Sequence, residues 1–178
     1  MRRAEIVTVG REVLRGFTVN TNASWLAQRL VELGFDVRRV TVIDDTMEDI
    51  GSVTREVLSR SPDVVIYTGG LGPTFDDITV EAVGRALNLE LRIDEEALKM
   101  VKAVYERLGL PLTEERVKMA RLPVGSEPLP NPVGTAPGVW LKYQDVIFVL
   151  LPGVPGEMKA IFELSLIHIS EPTRPRLI

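Results

Sequence analysis

The residues best suited to chemistry lie in one string, Thr68–Asp77, which reads Thr-Gly-Gly-Leu-Gly-Pro-Thr-Phe-Asp-Asp. Closely spaced glycines let a backbone turn sharply and approach a ligand, and amides in such a turn can hold a phosphate. Asp76 and Asp77 are suited to a hard cation such as Mg²⁺ beside that phosphate. The spacing matches neither the dinucleotide-binding nor the P-loop glycine pattern. The residues predicted to hold the ligand here are Gly69, Gly70, Leu71, Gly72, Pro73 and Thr74.

A simpler interpretation of the same string is a tight turn, in which Asp76 caps a helix beginning near Asp77. Capping accounts for one carboxylate, but it requires neither the second nor the glycines. The string therefore favours a functional site, in which both aspartates are candidate catalytic and metal-binding residues.

A second candidate segment is Gly10–Gly16, which follows the first apolar run. Glu12 is suited to binding a metal or acting as a general base, and Arg11 or Arg15 to clamping a phosphate. An ordinary solvated loop accounts for the same charges. Taken alone, this segment favours the surface loop.

Three further segments carry candidate ligand contacts. Asp44 and Asp45 most simply cap a helix, with a ribose or metal contact as the second interpretation. The stretch Asn131–Gly138 is long and rich in glycine and proline, which suits a ligand wall or a plain loop equally. At Pro152–Glu157 a helix start offers free amides to an anion, and Glu157 either contacts the ligand or favours the helix dipole.

The elements that must position these segments alternate between strand and helix. This order predicts an α/β fold with a mostly parallel sheet covered on both faces, and an antiparallel hairpin near the C-terminus. In such a sheet the loops at the carboxyl ends of the strands form the ligand crevice. The predicted strands are Ile6–Val9, Val37–Ile43, Asp63–Thr68, Val139–Tyr143 and Val146–Leu151.

The helix predictions rest on amphipathic spacing and on capping residues. Asn22 is predicted to cap the first helix, Asp44 and Asp45 to open the second, and Gly125–Gly138 to be a loop. The predicted helices are Ala23–Leu33, Asp44–Arg60, Asp77–Leu87, Asp94–Leu108, Glu114–Leu122 and Gly156–Leu164.

Composition excludes several classes of site. The 178 residues include no cysteine, which excludes disulfides, thiol catalysis and Cys-ligated zinc. The single histidine, His168, argues against a Ser-His-Asp triad and a His-rich metal site. A net charge of −4 without a basic stripe argues against nucleic-acid binding. With no apolar run of membrane-spanning length and no signal peptide, we expect a cytoplasmic protein. Residues 1–164 are predicted to form one domain, and Ser165–Ile178 a non-native read-through or an extended tail.

Five motifs in order resemble the N-terminal domain of the CinA (competence/damage-inducible) family, within the wider MogA/MoaB-like molybdopterin-binding superfamily. The likeness spans about residues 4–164. The motifs are Gly10-x-Glu12-x-Leu14-x-Gly16, Thr21-Asn22, Thr68-Gly69-Gly70-Leu71-Gly72-Pro73-Thr74-x-Asp76-Asp77-x-Thr79, Asn131-Pro132-x-Gly134-Thr135-Ala136-Pro137-Gly138 and Leu151-Pro152-Gly153-Val154-Pro155-x-Glu157-Met158.

The resemblance implies a three-layer α/β/α fold and a phosphate-bearing nucleotide or pterin ligand. It implies a pyrophosphatase that acts on an ADP-ribose-like substrate with Mg²⁺ or Co²⁺, or else molybdopterin binding and adenylylation. A non-catalytic nucleotide-binding module is the third alternative, and self-association as a dimer or trimer is expected. The matched positions add candidate ligand contacts at Thr21, Asn22, Asn131, Gly134, Thr135, Ala136, Pro152, Gly153 and Pro155.

Overall fold

The computed structural model describes residues 1–170, which form an α/β fold with a six-stranded central sheet. The sheet strands are β1 (Arg2–Val9), β2 (Phe35–Ile43), β3 (Val64–Thr68), β6 (Glu127–Leu129), β7 (Gly138–Tyr143) and β8 (Val146–Leu151). Four neighbouring strands of this sheet, in the order β2-β1-β3-β8, are parallel, and β7 and β6 continue it in antiparallel pairing. The mostly parallel sheet and its C-terminal hairpin, β7 with β8, confirm the predicted fold class.

Helices cover both faces of this sheet, as the alternating side chains of its strands require. On β1, Ile6 belongs to one apolar cluster and the next residue, Val7, to the other. The helices are α1 (Arg11–Leu14), α2 (Thr21–Glu32), α3 (Met47–Arg60), α4 (Thr79–Ala86), α5 (Glu95–Leu108), α6 (Glu114–Val117), α7 (Pro155–Leu164) and α8 (Leu166–Ser170). Residues of α2 and α7 pack on one face and residues of α3, α4 and α5 on the other, giving three layers. No helix within residues 1–170 is long and apolar enough to cross a membrane.

Three predicted helix starts are wrong, each for a local reason. The side chain of Asn20, not Asn22, accepts from the Ala23 amide and caps α2. Thr46, not Asp44 or Asp45, accepts from the Asp49 amide and caps α3. Helix α4 begins at Thr79 without a side-chain cap, so Asp76 does not cap it and Asp77 lies before it.

The region between α4 and β7 differs from its prediction. A separate antiparallel pair joins β4 (Leu91–Ile93) to β5 (Arg121–Pro123), two three-residue strands too short for a periodic pattern to reveal. Helix α6 continues only as a 3₁₀ turn, Lys118–Ala120, before β5, so the predicted helix Glu114–Leu122 is too long. The predicted loop Gly125–Gly138 contains β6, which pairs with β7.

Part of the predicted C-terminal tail is helical. In α8, Ile169 is fully buried, and the indole Nε1 of Trp140 donates to the carbonyl of His168 at 3.2 Å. Residues 171–178 lie outside the described part of the chain. A non-native origin of this tail stays a prediction.

Candidate functional site

A cleft of about 640 Å³ lies at the carboxyl ends of the parallel strands. From β1 the chain crosses to β2 on one side and then to β3 on the other, so the strand order reverses between β1 and β3. This reversal is where loops diverge and leave a crevice in open α/β sheets. The lining residues are Val9, Gly10, Glu12, Asp45, Gly69, Gly70, Leu71, Gly72, Pro73, Thr74, Asp76, Asp77, Thr135, Ala136, Pro152, Gly153, Val154, Pro155 and Glu157.

The glycine turn after β3 requires glycine at two positions. Gly69 and Gly70 have φ values of +112° and +76°, which side-chain-bearing residues rarely adopt. A Cβ on Gly69 would lie 2.1 Å from the carbonyl oxygen of Val9, and one on Gly70 would lie 2.1 Å from Oγ1 of Thr79. Buried Thr79 donates through Oγ1 to the Gly69 carbonyl at 2.8 Å and through its amide to the Gly70 carbonyl at 3.2 Å. The turn is therefore pressed against β1 and fixed to the start of α4.

Asp76 and Asp77 converge on Thr74 in the loop that follows the glycine turn. Oδ2 of Asp77 accepts from the amide of Thr74 at 3.0 Å and lies 2.7 Å from its hydroxyl, which is also 2.9 Å from Oδ1 of Asp76. A Cβ on Gly72 would lie only 2.7 Å from Oδ2 of Asp77. Asp76 and Asp77 therefore organise this loop, and neither caps α4.

This acidic pair fits a hard cation that a phosphate helps to hold. Among residues 1–170, the hydrogen bonds to Asp76 and Asp77 use one oxygen of each carboxylate, so the other oxygen of each is available. Within the same residues no group of three or more His, Cys, Asp or Glu is placed to bind a metal. Mg²⁺ commonly uses one or two carboxylates and completes its shell with phosphate oxygens and water. The two carboxylates can therefore hold such a cation only when a bound phosphate and water complete its coordination shell.

Glu157 faces the cleft from the first turn of α7, where the loop after β6 holds it. Oε1 of Glu157 accepts from Nδ2 of Asn131 at 2.8 Å. The same Nδ2 donates to the Ala136 carbonyl at 2.9 Å, and Oδ1 of Asn131 accepts from the Gly134 amide at 2.9 Å. A Cβ on Gly134 would lie 1.7 Å from Oε1 of Glu157. Asn131 and Gly134 thus support the cleft wall, which Thr135 and Ala136 line.

The loop from β8 into α7 packs directly against the glycine turn and lines the cleft beside it. A Cβ on Gly153 would lie 3.4 Å from Cα of Gly69, and Pro155 is the first residue of α7. Proline at this position forfeits no helical hydrogen bond, because the first amides of a helix are unpaired. The next amides, of Gly156 and Glu157, belong to this unpaired first turn and can receive an anion.

Asn22 ties α2 to this loop. Its Nδ2 donates to Oγ1 of Thr68 at 3.0 Å and to the Gly153 carbonyl at 2.9 Å, and Thr68 in turn donates to the Pro152 carbonyl at 2.9 Å. Neither Asn22 nor Thr21 lines the main cleft. Both line an adjoining recess of about 110 Å³, so Asn22 acts as a support between two loops.

Asp44 and Asp45 differ in their electrostatic surroundings. Asp44 accepts from Nε of Arg11 at 3.1 Å and from the Asp45 amide at 2.8 Å. Burial opposes ionisation of Asp44, but hydrogen bonds from Asp45 and Arg11 outweigh it and lower its pKa. Burial and the hydrogen bond with Asp44 raise the pKa of Asp45, which lines the cleft while Asp44 does not.

Glu12 reaches the cleft from α1. Its carboxylate folds over Gly10, where a Cβ would lie 2.8 Å from Oε1. No hydrogen bond or ion pair engages that carboxylate among residues 1–170. Glu12 is therefore free to accept a proton or to orient water in the cleft.

The structure brings most of the predicted site residues to one cleft. Asp44, Asn131 and Gly134 support its lining residues, and Thr21 and Asn22 lie in the adjoining recess. Sequence reasoning missed Val9 and Val154, which carry no chemical signal, and left Lys118 unplaced. The ammonium of Lys118, in the 3₁₀ turn before β5, donates to the Thr74 carbonyl, a contact across 44 positions of sequence that only the tertiary fold creates.

Known proteins resemble the chain over most of its length. A family model described as a probable molybdopterin binding domain matches residues 5–173. A protein of Caldivirga maquilingensis is 51% identical over 172 residues, which are 97% of this chain and 66% of that protein. The curated relatives that the chain matches are longer, and it spans 60% to 66% of their lengths.

Solved structures share the fold. The crystal structure of the protein CinA with unknown function from Thermoplasma acidophilum superposes with a TM-score of 0.89 at 44% identity, covering 94% of this chain and 99% of that one. The molybdopterin biosynthesis enzyme MoaB of Thermus thermophilus superposes with a TM-score of 0.65 at 24% identity, covering 94% and 91%. The MoaB likeness shows the fold alone.

Proposed function

The chain belongs to the probable molybdopterin-binding domain family, and from the geometry of its cleft we propose that it hydrolyses the pyrophosphate bond of a dinucleotide-type ligand such as ADP-ribose with a divalent cation. The observation that carries this proposal is the position of two carboxylates beside a glycine turn and a helix start in one cleft. A module that only binds phosphate needs the amides and gains nothing from two adjacent negative charges.

The glycine turn and the first turn of α7 would hold the two phosphates, because both line the cleft and the loop that leads into α7 packs against the glycine turn. Asp76 and Asp77 would hold the cation through the oxygens that Thr74 leaves available. When bound, Mg²⁺ or Co²⁺ neutralises charge on the phosphates and lowers the pKa of a coordinated water.

Glu12 would orient the attacking water, because its carboxylate is unengaged and lines the cleft. Water adds to one phosphorus, the bond from that phosphorus to the bridging oxygen breaks, and the second phosphate leaves with that oxygen. Glu12 would accept the water proton. Glu157 would position the ligand, because its Oε1 is already held by Asn131.

The test is ADP-ribose cleavage by Asp77→Asn with Mg²⁺ and Co²⁺. An amide oxygen can still accept from Thr74, so the loop keeps its geometry while the negative charge is lost. We expect kcat to fall by at least about 100-fold, with an unchanged melting temperature. Asp145→Ala, an exposed change in the β7–β8 turn, is the matched control and should cleave normally. Wild-type cleavage by Asp77→Asn would contradict the role of Asp77.

Molybdopterin binding and adenylylation is the second candidate function, and the family description favours the binding. The same cleft would hold the pterin phosphate, and the acidic pair would hold the cation of ATP. ATP-dependent adenylylation of molybdopterin without ADP-ribose cleavage would select this function. Tight nucleotide binding without turnover under any divalent cation would select a non-catalytic module instead.

A further inference from the structure

An open surface depression of about 320 Å³, here called the second cavity, adjoins the main cleft on the side of α1. Three carboxylates, those of Glu12, Asp45 and Asp76, line both spaces and form their common border. The remaining lining residues are Arg11, Arg15 and Phe17. A ligand whose phosphates lie in the main cleft can therefore extend across this border into the second cavity.

The two spaces differ in charge. No lysine or arginine lines the main cleft, whereas two arginines line the second cavity. Arg11 is engaged by Asp44 at 3.1 Å and by Asp45 at 3.7 Å. The guanidinium of Arg15 makes no hydrogen bond or ion pair with any of residues 1–170. Arg15 is thus available to a ligand phosphate or ring acceptor, and Asp45, which has no part in the proposed hydrolysis, can accept hydrogen bonds from sugar hydroxyls.

Phe17 supplies an aromatic surface to the same cavity. It is 84% exposed, so its ring has little packing within its own fold. Its backbone is nevertheless fixed, because Glu12 accepts through its carbonyl from the amides of Phe17 at 2.9 Å and Thr18 at 3.1 Å. A ring on a fixed backbone can stack on a nucleobase at low entropic cost.

We infer that this cavity is a subsite for the second nucleoside of the ligand, with its base on Phe17, its ribose at Asp45 and the polar edge of the base at Arg15. The inference rests on the proposed function and narrows the substrate class. It assigns the site to dinucleotides with a base at each end, in preference to ADP-ribose, whose second sugar carries no base.

Calorimetric titration with two non-hydrolysable methylene analogues tests the subsite, one with adenine at both ends and one of ADP-ribose. We expect the wild type to bind the two-base analogue about tenfold more tightly, as one stacked base provides. Phe17→Ala should remove this preference without changing the affinity for the ADP-ribose analogue. Phe17→Trp should retain it, and Arg15→Ala should reduce it. Val40→Ala and Arg39→Ala, exposed changes on β2, are the matched controls.

Equal wild-type affinities for the two analogues, or an equal loss of both in Phe17→Ala, would overturn the subsite. Cleavage of the natural dinucleotide and of ADP-ribose is measured separately. Selective binding without turnover of either would contradict the proposed hydrolysis and leave the subsite standing. Cleavage without a binding preference that depends on Phe17 would support the proposed hydrolysis and contradict the subsite.

Discussion

At the scale of single residues, the cleft depends on side chains that position other side chains. Asn131 bonds Glu157, Ala136 and Gly134 at once, and Thr74 gathers both aspartates. Such supports determine the position of a carboxylate within a fraction of an ångström, which catalysis requires. Their removal should therefore alter function more than fold.

Gly134 is expected to tolerate no side chain. In Gly134→Ala the new Cβ would lie 1.7 Å from Oε1 of Glu157, so that carboxylate must move and lose its bond to Asn131. We expect a loss of about 1–3 kcal/mol in the free energy of unfolding and weaker nucleotide binding. Urea denaturation measures the first and calorimetry the second.

The control for this prediction is Gly156→Ala, at the glycine that directly precedes Glu157. A Cβ at Gly156 meets nothing within 4 Å, so its free energy of unfolding should equal or exceed that of the wild type. Equal stability of the two alanine variants would contradict the tight contact at Gly134.

Asp45 should make stability depend on pH. Its pKa is raised by burial and by Asp44, so its stabilising contribution is present at low pH and lost as pH rises through the folded-state pKa. Asp45→Asn is therefore expected to raise the melting temperature at pH 7 and to leave it unchanged below the ordinary pKa of 3.8. Thermal scans at several pH values measure the difference.

Asp44→Asn is expected to change the melting temperature at pH 7 in the opposite direction. Hydrogen bonds from Asp45 and Arg11 lower the pKa of Asp44 against the effect of burial, so its contribution is present above the ordinary pKa and lost as pH falls. This variant should melt at a lower temperature at pH 7, and the deficit should shrink in acid. Melting-temperature changes of the same sign at pH 7 in Asp44→Asn and Asp45→Asn would contradict the opposite pKa shifts of the two aspartates.

At the scale of elements, the site is a meeting of loops that helices α2, α4 and α7 fix to the strand ends. Thr79 at the start of α4 bonds the glycine turn, and Asn22 at the start of α2 bonds the loop after β8. Each helix start therefore has a role in placing backbone amides. The 3₁₀ turn before β5 adds Lys118, whose ammonium reaches the carbonyl of Thr74.

Asn22→Ala should loosen the loop after β8. It removes the donors to Thr68 and Gly153 while leaving the Asn20 cap in place. We expect a loss of about 1–2 kcal/mol in the free energy of unfolding and faster amide exchange at Gly153 and Val154. Thr21→Ala is the matched control, because no hydrogen bond of the Thr21 side chain is present within residues 1–170. Unchanged exchange in Asn22→Ala would show that this tie does not hold the loop.

At the scale of the whole molecule, a buried ion pair that stabilises the fold lies away from the cleft, toward the other end of the strands. The cleft lies at the carboxyl ends, while Arg60 ends α3 near the amino end of β3. There the guanidinium of Arg60 donates hydrogen bonds to both carboxylate oxygens of Glu5, at 2.7 to 3.1 Å. The Glu5 side chain is only 4% exposed. Removing one partner of a buried ion pair is far costlier than removing a surface pair.

Arg60→Ala is expected to destabilise the fold without altering the cleft. The substitution leaves the buried carboxylate of Glu5 without its partner, so the free energy of unfolding should fall by about 3–5 kcal/mol. Ligand affinity below the melting transition should stay at the wild-type value. Glu56→Ala, which removes a 59% exposed partner 3.8 Å from Arg60, should cost less than about 1 kcal/mol. Comparable losses in the two variants would contradict the importance of the Glu5 pair.

Much of the architecture could be predicted from the sequence, because long apolar and amphipathic repeats report burial directly. The strands β1, β2, β3, β7 and β8 were found on this basis, within a few residues at their ends. The short strands β4, β5 and β6 were not, since three residues carry no period. The caps Asn20 and Thr46 lie next to equally suitable polar residues, and only backbone geometry distinguishes them.

The sequence by itself determined the α/β class, the family resemblance and the loops that form the cleft, because glycine turns and strand ends are local features. Only the tertiary structure decided which polar residues line the cleft and which support it. Asp45 lines it whereas its neighbour Asp44 binds Arg11, and Asn131 holds Glu157 across 26 positions of sequence. These distinctions depend on side-chain direction and on contacts between distant segments, which residue type and spacing do not encode.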